Sequence, residues 1–317
     1  MSHSRGTAVA TALLLAALAT AGCGLGPGAG VGTVELTATR DFGATPVARA
    51  TVAANESDTV MRVLEGSAEI ATRYGGGYVR SIDGIAEAER GGDPYDWFFF
   101  VDGVESPIGA AEFELRGGER IWWDYRDWIA SNHVPAVVGS WPAPFSDGYA
   151  GKRHPVTLEC EGGGAACEVA REALAREGVE LGGSSPPAST EVEGGIAGGA
   201  IRVLVGPWER LRDDSAAALL EDGPAESGIY ADFERSRNGY SLIGLDSAGD
   251  RGRSLGPGAG LVAATRRYEG PPVWLVTGGT PAAVRAAARL LNPAGLRDHY
   301  AVASVDGKET PLPLGGP

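Results

Sequence analysis

Gly252-Arg253-Ser254-Leu255-Gly256 has the spacing of a nucleophile elbow, in which a serine on a sharp strand-to-helix turn attacks a carbonyl carbon. That chemistry needs a strand directly before the motif and a helix directly after it. Here Asp246-Ser247-Ala248-Gly249-Asp250 precedes and Pro257-Gly258 follows, so the match reads as chance in a chain with 49 glycines. The Gly-rich stretch from Gly256 to Gly260 lacks the Lys-Ser/Thr of a phosphate-binding loop and reads as a turn. His133, His154 and His299 lie far apart, without metal-ligand spacing. No catalytic or metal-binding residue and no cofactor is therefore assigned, and the chain is not read as an enzyme. What remains is aromatic. Between Asp96 and Trp128 the chain gathers four of its seven tryptophans and four of its seven phenylalanines. Rings in such a cluster form either the core of a sheet or a binding surface.

Strand periodicity sorts these rings. Trp97, Phe99 and Val101 share one face of their strand, and Phe98 and Phe100 the other. In the last strand Ile121, Trp123 and Tyr125 share a face, opposite Trp122, Asp124 and Arg126. The all-apolar face is the expected core, packed on a helix carrying Val60, Val63 and Leu64. Phe98, Phe100 and Trp122 then look away from that helix, and Trp128 sits at the rim. These four are the candidate ligand-binding residues; packing of their rings against a second domain is the alternative.

The elements that position them follow from local pattern. Residues 34–40 and 47–53 alternate like strands, and a short helix, capped by Ser57 or Asp58, ends at Gly66. Further strands are expected at 78–82, at 97–101 before an Asp102-Gly103 turn, and at 121–126. This order predicts an α+β, β-grasp-like domain over residues 34–128, with one helix on a mixed sheet. Residues 129–153, with Pro135, Pro142 and Pro144, read as a connector packed in part through Trp141 and Phe145. Residues 154–317 predict a compact α/β domain. Its strands are expected at 156–160, 201–205, 228–233, 240–245, 273–277 and 300–305. Its helices are expected at 166–176 and 213–221 and from Thr280-Pro281 to Leu291, and residues 182–199 form a Gly/Ser/Pro loop. At about 150 residues per domain, the length also suggests two domains.

The amino terminus reads as a targeting segment. Arg5 precedes an apolar run over residues 8–21, too short to span a bilayer and of signal-peptide length. It ends Leu18-Ala19-Thr20-Ala21-Gly22-Cys23, which resembles a bacterial lipobox, although Thr20 stands where leucine is usual. Ala19-Thr20-Ala21 also fits an ordinary cleavage site. The lipobox reading makes residues 1–22 a signal peptide, Cys23 the lipidated residue, and residues 23–33 its Gly-rich tether. Cys160 and Cys167 then remain, and an oxidising compartment favours their disulfide over two free thiols. The net charge of −14 argues against nucleic acid and against electrostatic membrane binding, leaving the lipid as the membrane contact.

Residues 34–128 resemble the transcobalamin C-terminal-like domain, a β-grasp-type module found on bacterial surface lipoproteins. The matching pieces are the short helix after Thr59, Val79-Arg80-Ser81-Ile82-Asp83-Gly84, the aromatic strand Trp97-Phe98-Phe99-Phe100-Val101-Asp102-Gly103, and Gly117-Gly118-Glu119-Arg120-Ile121-Trp122-Trp123-Asp124-Tyr125. Gly118-Glu119 stands where the family has Gly-Asp. The resemblance implies a surface module that presents cobalamin, or another flat corrinoid-like ligand, to an uptake transporter from the outer face of the cell membrane. The helical domain that closes over cobalamin in transcobalamin has no counterpart pattern here. The alternative is a non-catalytic cell-envelope interaction module that binds a protein or glycan through its aromatic face.

Overall fold

The computed structural model describes residues 28–149, 151–162, 164–182, 199–236 and 239–315. Cys23, the expected leader, the tether up to residue 27 and residues 183–198 lie outside them.

The fold is α+β and mostly β. In the first half, β1 (Gly30–Arg40) and β2 (Thr45–Asn55) form a hairpin, followed by α1 (Val60–Glu65). β3 (Ile70–Arg73), β4 (Tyr78–Ile82) and β5 (Ile85–Ala86) make a small sheet beside it. β6 (Ala88–Arg90), β7 (Asp93–Val101), β8 (Val104–Glu105) and β9 (Arg120–Asp127) follow. The main sheet runs β2-β1-β9-β7-β6, with β8 paired to β7. β9 lies parallel to β1 and antiparallel to β7, so the mixed sheet expected from the element order is present.

Local chemistry explains the helix. The Thr59 hydroxyl, not Ser57 or Asp58, accepts the Arg62 N–H at 3.3 Å, and Gly66 closes the other end. Val60, Met61, Val63 and Leu64 pack against Ile121, Trp123 and Tyr125 of β9, the face that alternation assigns to the core. The Gly-rich tether is shorter than expected: Gly30 and Gly32 already pair with Asn55 and Ala54.

In the second half, β10 (Val156–Cys160) leads into α2 (Gly164–Arg176) and β11 (Ile201–Pro207). The one-turn helices α3 (Trp208–Leu211) and α4 (Pro224–Ser227) flank a 3-10 turn at Ala217–Asp222. β12 (Ala231–Ser236), β13 (Gly239–Leu245) and β14 (Arg251–Gly256) form a small antiparallel sheet. β15 (Gly260–Thr265), β16 (Val273–Gly278), α5 (Pro281–Ala288), α6 (Pro293–Leu296), β17 (Ala301–Val305) and β18 (Lys308–Leu312) complete the chain. The larger sheet runs β10-β11-β16-β15-β17-β18. α2 and α5 cover one of its faces; the β12–β14 sheet and Trp208 cover the other.

Three expectations shift for identifiable reasons. The helix expected at 213–221 is broken because the Asp214 carboxylate accepts the Ala216 and Ala217 N–H groups and holds Arg202 at 2.7 Å. The strand expected from residue 228 starts at Ala231, since Gly228 takes the left-handed C-cap of α4. α5 stops at Ala288 instead of Leu291; Pro293 follows closely, and Asn292 caps α6.

Cys160 and Cys167 form a disulfide that ties the end of β10 to the first turns of α2. Closing so short a loop stabilises the fold by about 2–3 kcal/mol. A Cys160→Ser/Cys167→Ser double variant is expected to lose that amount in urea unfolding, and reductant is expected to leave it unaffected while weakening the unaltered chain.

The middle of the expected connector, residues 134–145, is enclosed by both halves. Val134, Val137, Val138, Trp141 and Phe145 are buried, and Trp141 and Phe145 pack on Trp274 of β16. One apolar cluster joins Phe42, Phe100 and Trp122 to Trp208, Tyr230, Leu275 and Tyr300.

Candidate functional site

The β9 side chains that look away from α1 form a seam with the second half. Trp122 is 3% exposed and Phe100 fully covered; both meet the Tyr300 ring edge-on, with centroids at 5.3 and 5.6 Å. Asp124 is fully buried between them and the second half. It accepts from the Thr39 hydroxyl at 2.5 Å, the Gly43 N–H at 3.1 Å and the Tyr300 hydroxyl at 3.1 Å. Burial pushes its carboxyl up, and those hydrogen bonds and Arg126 oppose the shift. The Trp122 indole donates to Thr39 at 2.8 Å, completing a relay across the sheet.

Arg126, also fully buried, sets its guanidinium carbon over the Phe98 ring, 3.9 Å from the centroid, and donates to the Asp127 and Ser131 carbonyls at 2.9 and 2.7 Å. Its Nε and Nη2, and the Tyr230 hydroxyl, have no hydrogen-bond partner among the described residues. The four aromatic candidates therefore occupy different settings. Phe100 and Trp122 pack inside the seam, and Phe98 is half-buried under Arg126. Trp128 is 38% exposed at the far end of β9, beside Ile129 at 45%. The space beside Trp122, toward Arg120 and Asp298, is about 20 Å³, room for a single water.

Open space lies instead at the start of β9. One compartment, about 280 Å³, is lined by Pro107, Ile108, Glu112, Phe113, Glu114 and Arg116. A second, about 160 Å³, is lined by Asp102, Glu119, Asp147 and Lys152. Phe113, Arg116 and Gly151 line both, so the two form one cleft. The pairing of β7 with β9 brings Asp102, in the turn after Val101, next to Arg120, whose N–H it accepts at 2.9 Å. Burial pushes the Asp102 carboxyl up to about 8, and the neighbouring Glu119 and Asp147 add to the shift.

Ser254 sits mid-strand in β14, exposed, with a turn and β15 after it, so the Gly252–Gly256 motif has no elbow geometry. His133 pairs with Glu105 at 2.5 Å, and His154 stacks on Tyr149. Sequence reasoning missed the cleft. Asp102 entered as a turn residue and Glu119 as a departure from a Gly-Asp pair; nothing local marks either as buried.

A family model described as a domain of unknown function (DUF4430) matches residues 57–127. The matched segment runs from just before α1 to the end of β9 and so includes the whole acidic side of the cleft except Asp147. No curated protein matches the chain.

Proposed function

We propose that this chain is a non-catalytic, lipid-anchored extracytoplasmic binding protein whose first half is a transcobalamin C-terminal-like module. The observation that carries this reading is the cleft at the start of β9, where the apolar side chains of Ile108 and Phe113 adjoin the buried carboxyl groups of Asp102 and Glu119. The lining is largely charged, with an apolar strip at Pro107, Ile108 and Phe113, so a ligand with both polar and apolar parts suits it. In this reading a lipid on Cys23 holds the chain to the outer face of the cell membrane, and its ligand passes to an uptake transporter.

The resemblance supplies the first ligand to try, cobalamin. With Phe100 and Trp122 covered and the cleft at the small end of ligand sites, a corrinoid would engage by one edge or one substituent. Cobalamin titrated into the purified chain is expected to change tryptophan fluorescence saturably at micromolar ligand, and Phe113→Ala to weaken the response. No change at high micromolar cobalamin removes the corrinoid from this reading. Membrane attachment has its own test: Cys23→Ser is expected to move the chain from the membrane to the soluble fraction.

The exposed pair Trp128 and Ile129 favours a second reading, in which this patch meets a protein or glycan of the cell envelope. Envelope-fragment binding that Trp128→Ala abolishes and Phe113→Ala spares supports that reading over the first.

A further inference from the structure

We infer that the cleft receives a protonated amine borne on an apolar group, the amine lying against Glu119 and the apolar group against Ile108 and Phe113. The inference rests on the cleft being the ligand site and names the class of ligand.

Glu119 carries the argument. It is 8% exposed and lines the smaller compartment. Its Oε1 accepts the Arg116 N–H at 2.6 Å, while its Oε2 is buried without a hydrogen-bond partner among the described residues. A buried carboxylate oxygen left without a donor is costly. Asp102, 4% exposed, lines the same compartment, as does the exposed Asp147. The basic side chains of the cleft, Arg116, Lys152 and Arg153, are all exposed, and the Arg116 guanidinium donates to the Gly151 carbonyl at 3.2 Å. Two acidic groups, Asp102 and Glu119, thus lie deep, while Glu112, Glu114, Asp147 and the basic groups lie outside. That order suits a small cation that enters between the basic side chains and supplies donors at depth.

An ammonium group has three donors and no acceptor, and so complements the buried Oε2 of Glu119. A divalent metal fits less well. It needs several oxygen ligands converging on one point, and among the described residues no group of three or more His, Cys, Asp or Glu side chains is placed to hold one. The larger compartment adjoins through Phe113 and presents Pro107 and Ile108, so a ligand seated against Glu119 has an apolar surface next to it. The matching probe is 2-phenylethylamine, and its uncharged counterpart is 2-phenylethanol.

The test follows the backbone amides of Arg116, Gly117 and Gly151 by NMR in the purified full chain. The amine is expected to shift them saturably, and the alcohol to bind at least tenfold more weakly. Glu119→Gln keeps the acceptor for the Arg116 N–H and is expected to weaken the amine at least tenfold without changing the alcohol. Asp147→Asn, at an exposed position where the amide keeps an acceptor for the Ser146 hydroxyl, is expected to weaken the amine two- to threefold. Equal affinity for amine and alcohol, or no effect of either variant on the amine, overturns the inference and leaves the cleft as an apolar ligand site. The same shifts with calcium ion alone, competing with the amine, also overturn it in favour of a metal site. If neither probe moves these amides, the binding reading of the cleft falls as well.

Discussion

Asp124→Ala is expected to lower stability by about 3–5 kcal/mol, enough to unfold a marginally stable chain near body temperature. The carboxyl accepts three hydrogen bonds from groups with no other route to solvent: the Thr39 and Tyr300 hydroxyls and the Gly43 N–H. Truncation strands the Gly43 N–H and the Tyr300 hydroxyl and leaves Thr39 only the Trp123 carbonyl at 3.5 Å; each buried unpaired group costs about 1–3 kcal/mol. It also removes the carboxyl group that lies close to the buried Arg126. Asp124→Asn keeps an acceptor of the same shape and is expected to lose far less. Urea unfolding of both variants, followed by far-UV circular dichroism, checks this; a loss below about 1 kcal/mol for Asp124→Ala would mean the seam is wetter than its burial implies.

The second large effect is a pH dependence at Asp102. Its carboxyl is pushed up to about 8 in the folded chain by burial first, then by Glu119 and Asp147; the Arg120 N–H and guanidinium oppose the shift. In the unfolded chain it titrates as an ordinary aspartate. Between those two values the folded state holds a proton that the unfolded state has released. Stability from this group is therefore full at low pH and falls as pH rises toward about 8. The fall is on the order of a few kcal/mol. Asp102→Asn mimics the protonated form; it is expected to flatten the profile between pH 5 and pH 8.5 and to be the more stable protein at the upper end. Parallel slopes for the two proteins would place the titrating group elsewhere.

Much of the first half is legible in its residues. Alternation in Ile121-Trp122-Trp123-Asp124-Tyr125-Arg126 assigns each side chain to its face, and Asp102-Gly103 marks the turn, with φ of 53° and 77°. What alternation omits is the identity of the cover. Trp122 and Asp124 are closed by Tyr300, which no local pattern connects to β9. The strand β15 escapes for a related reason. Gly260-Leu261-Val262-Ala263-Ala264-Thr265 is buried on both faces, Leu261 and Ala263 in one cluster and Val262 and Ala264 in another, so it carries no alternating pattern. β14 and β18 escape because they are largely exposed, and polar residues on short strands look like loop. The cleft needed the register of β7 against β9 and the return of residues 147–153 before its acidic residues could meet.

The Asp124–Tyr300 hydrogen bond spans 176 residues. At synthesis rates of about 5–20 residues per second, the sheet bearing Phe100, Trp122 and Phe42 waits on the order of ten to forty seconds for the ring that covers it. Through that interval the nascent chain presents an aromatic face and two ionisable side chains, Asp124 and Arg126, that the finished fold buries. The finished protein hides its stickiest side; the unfinished one displays it.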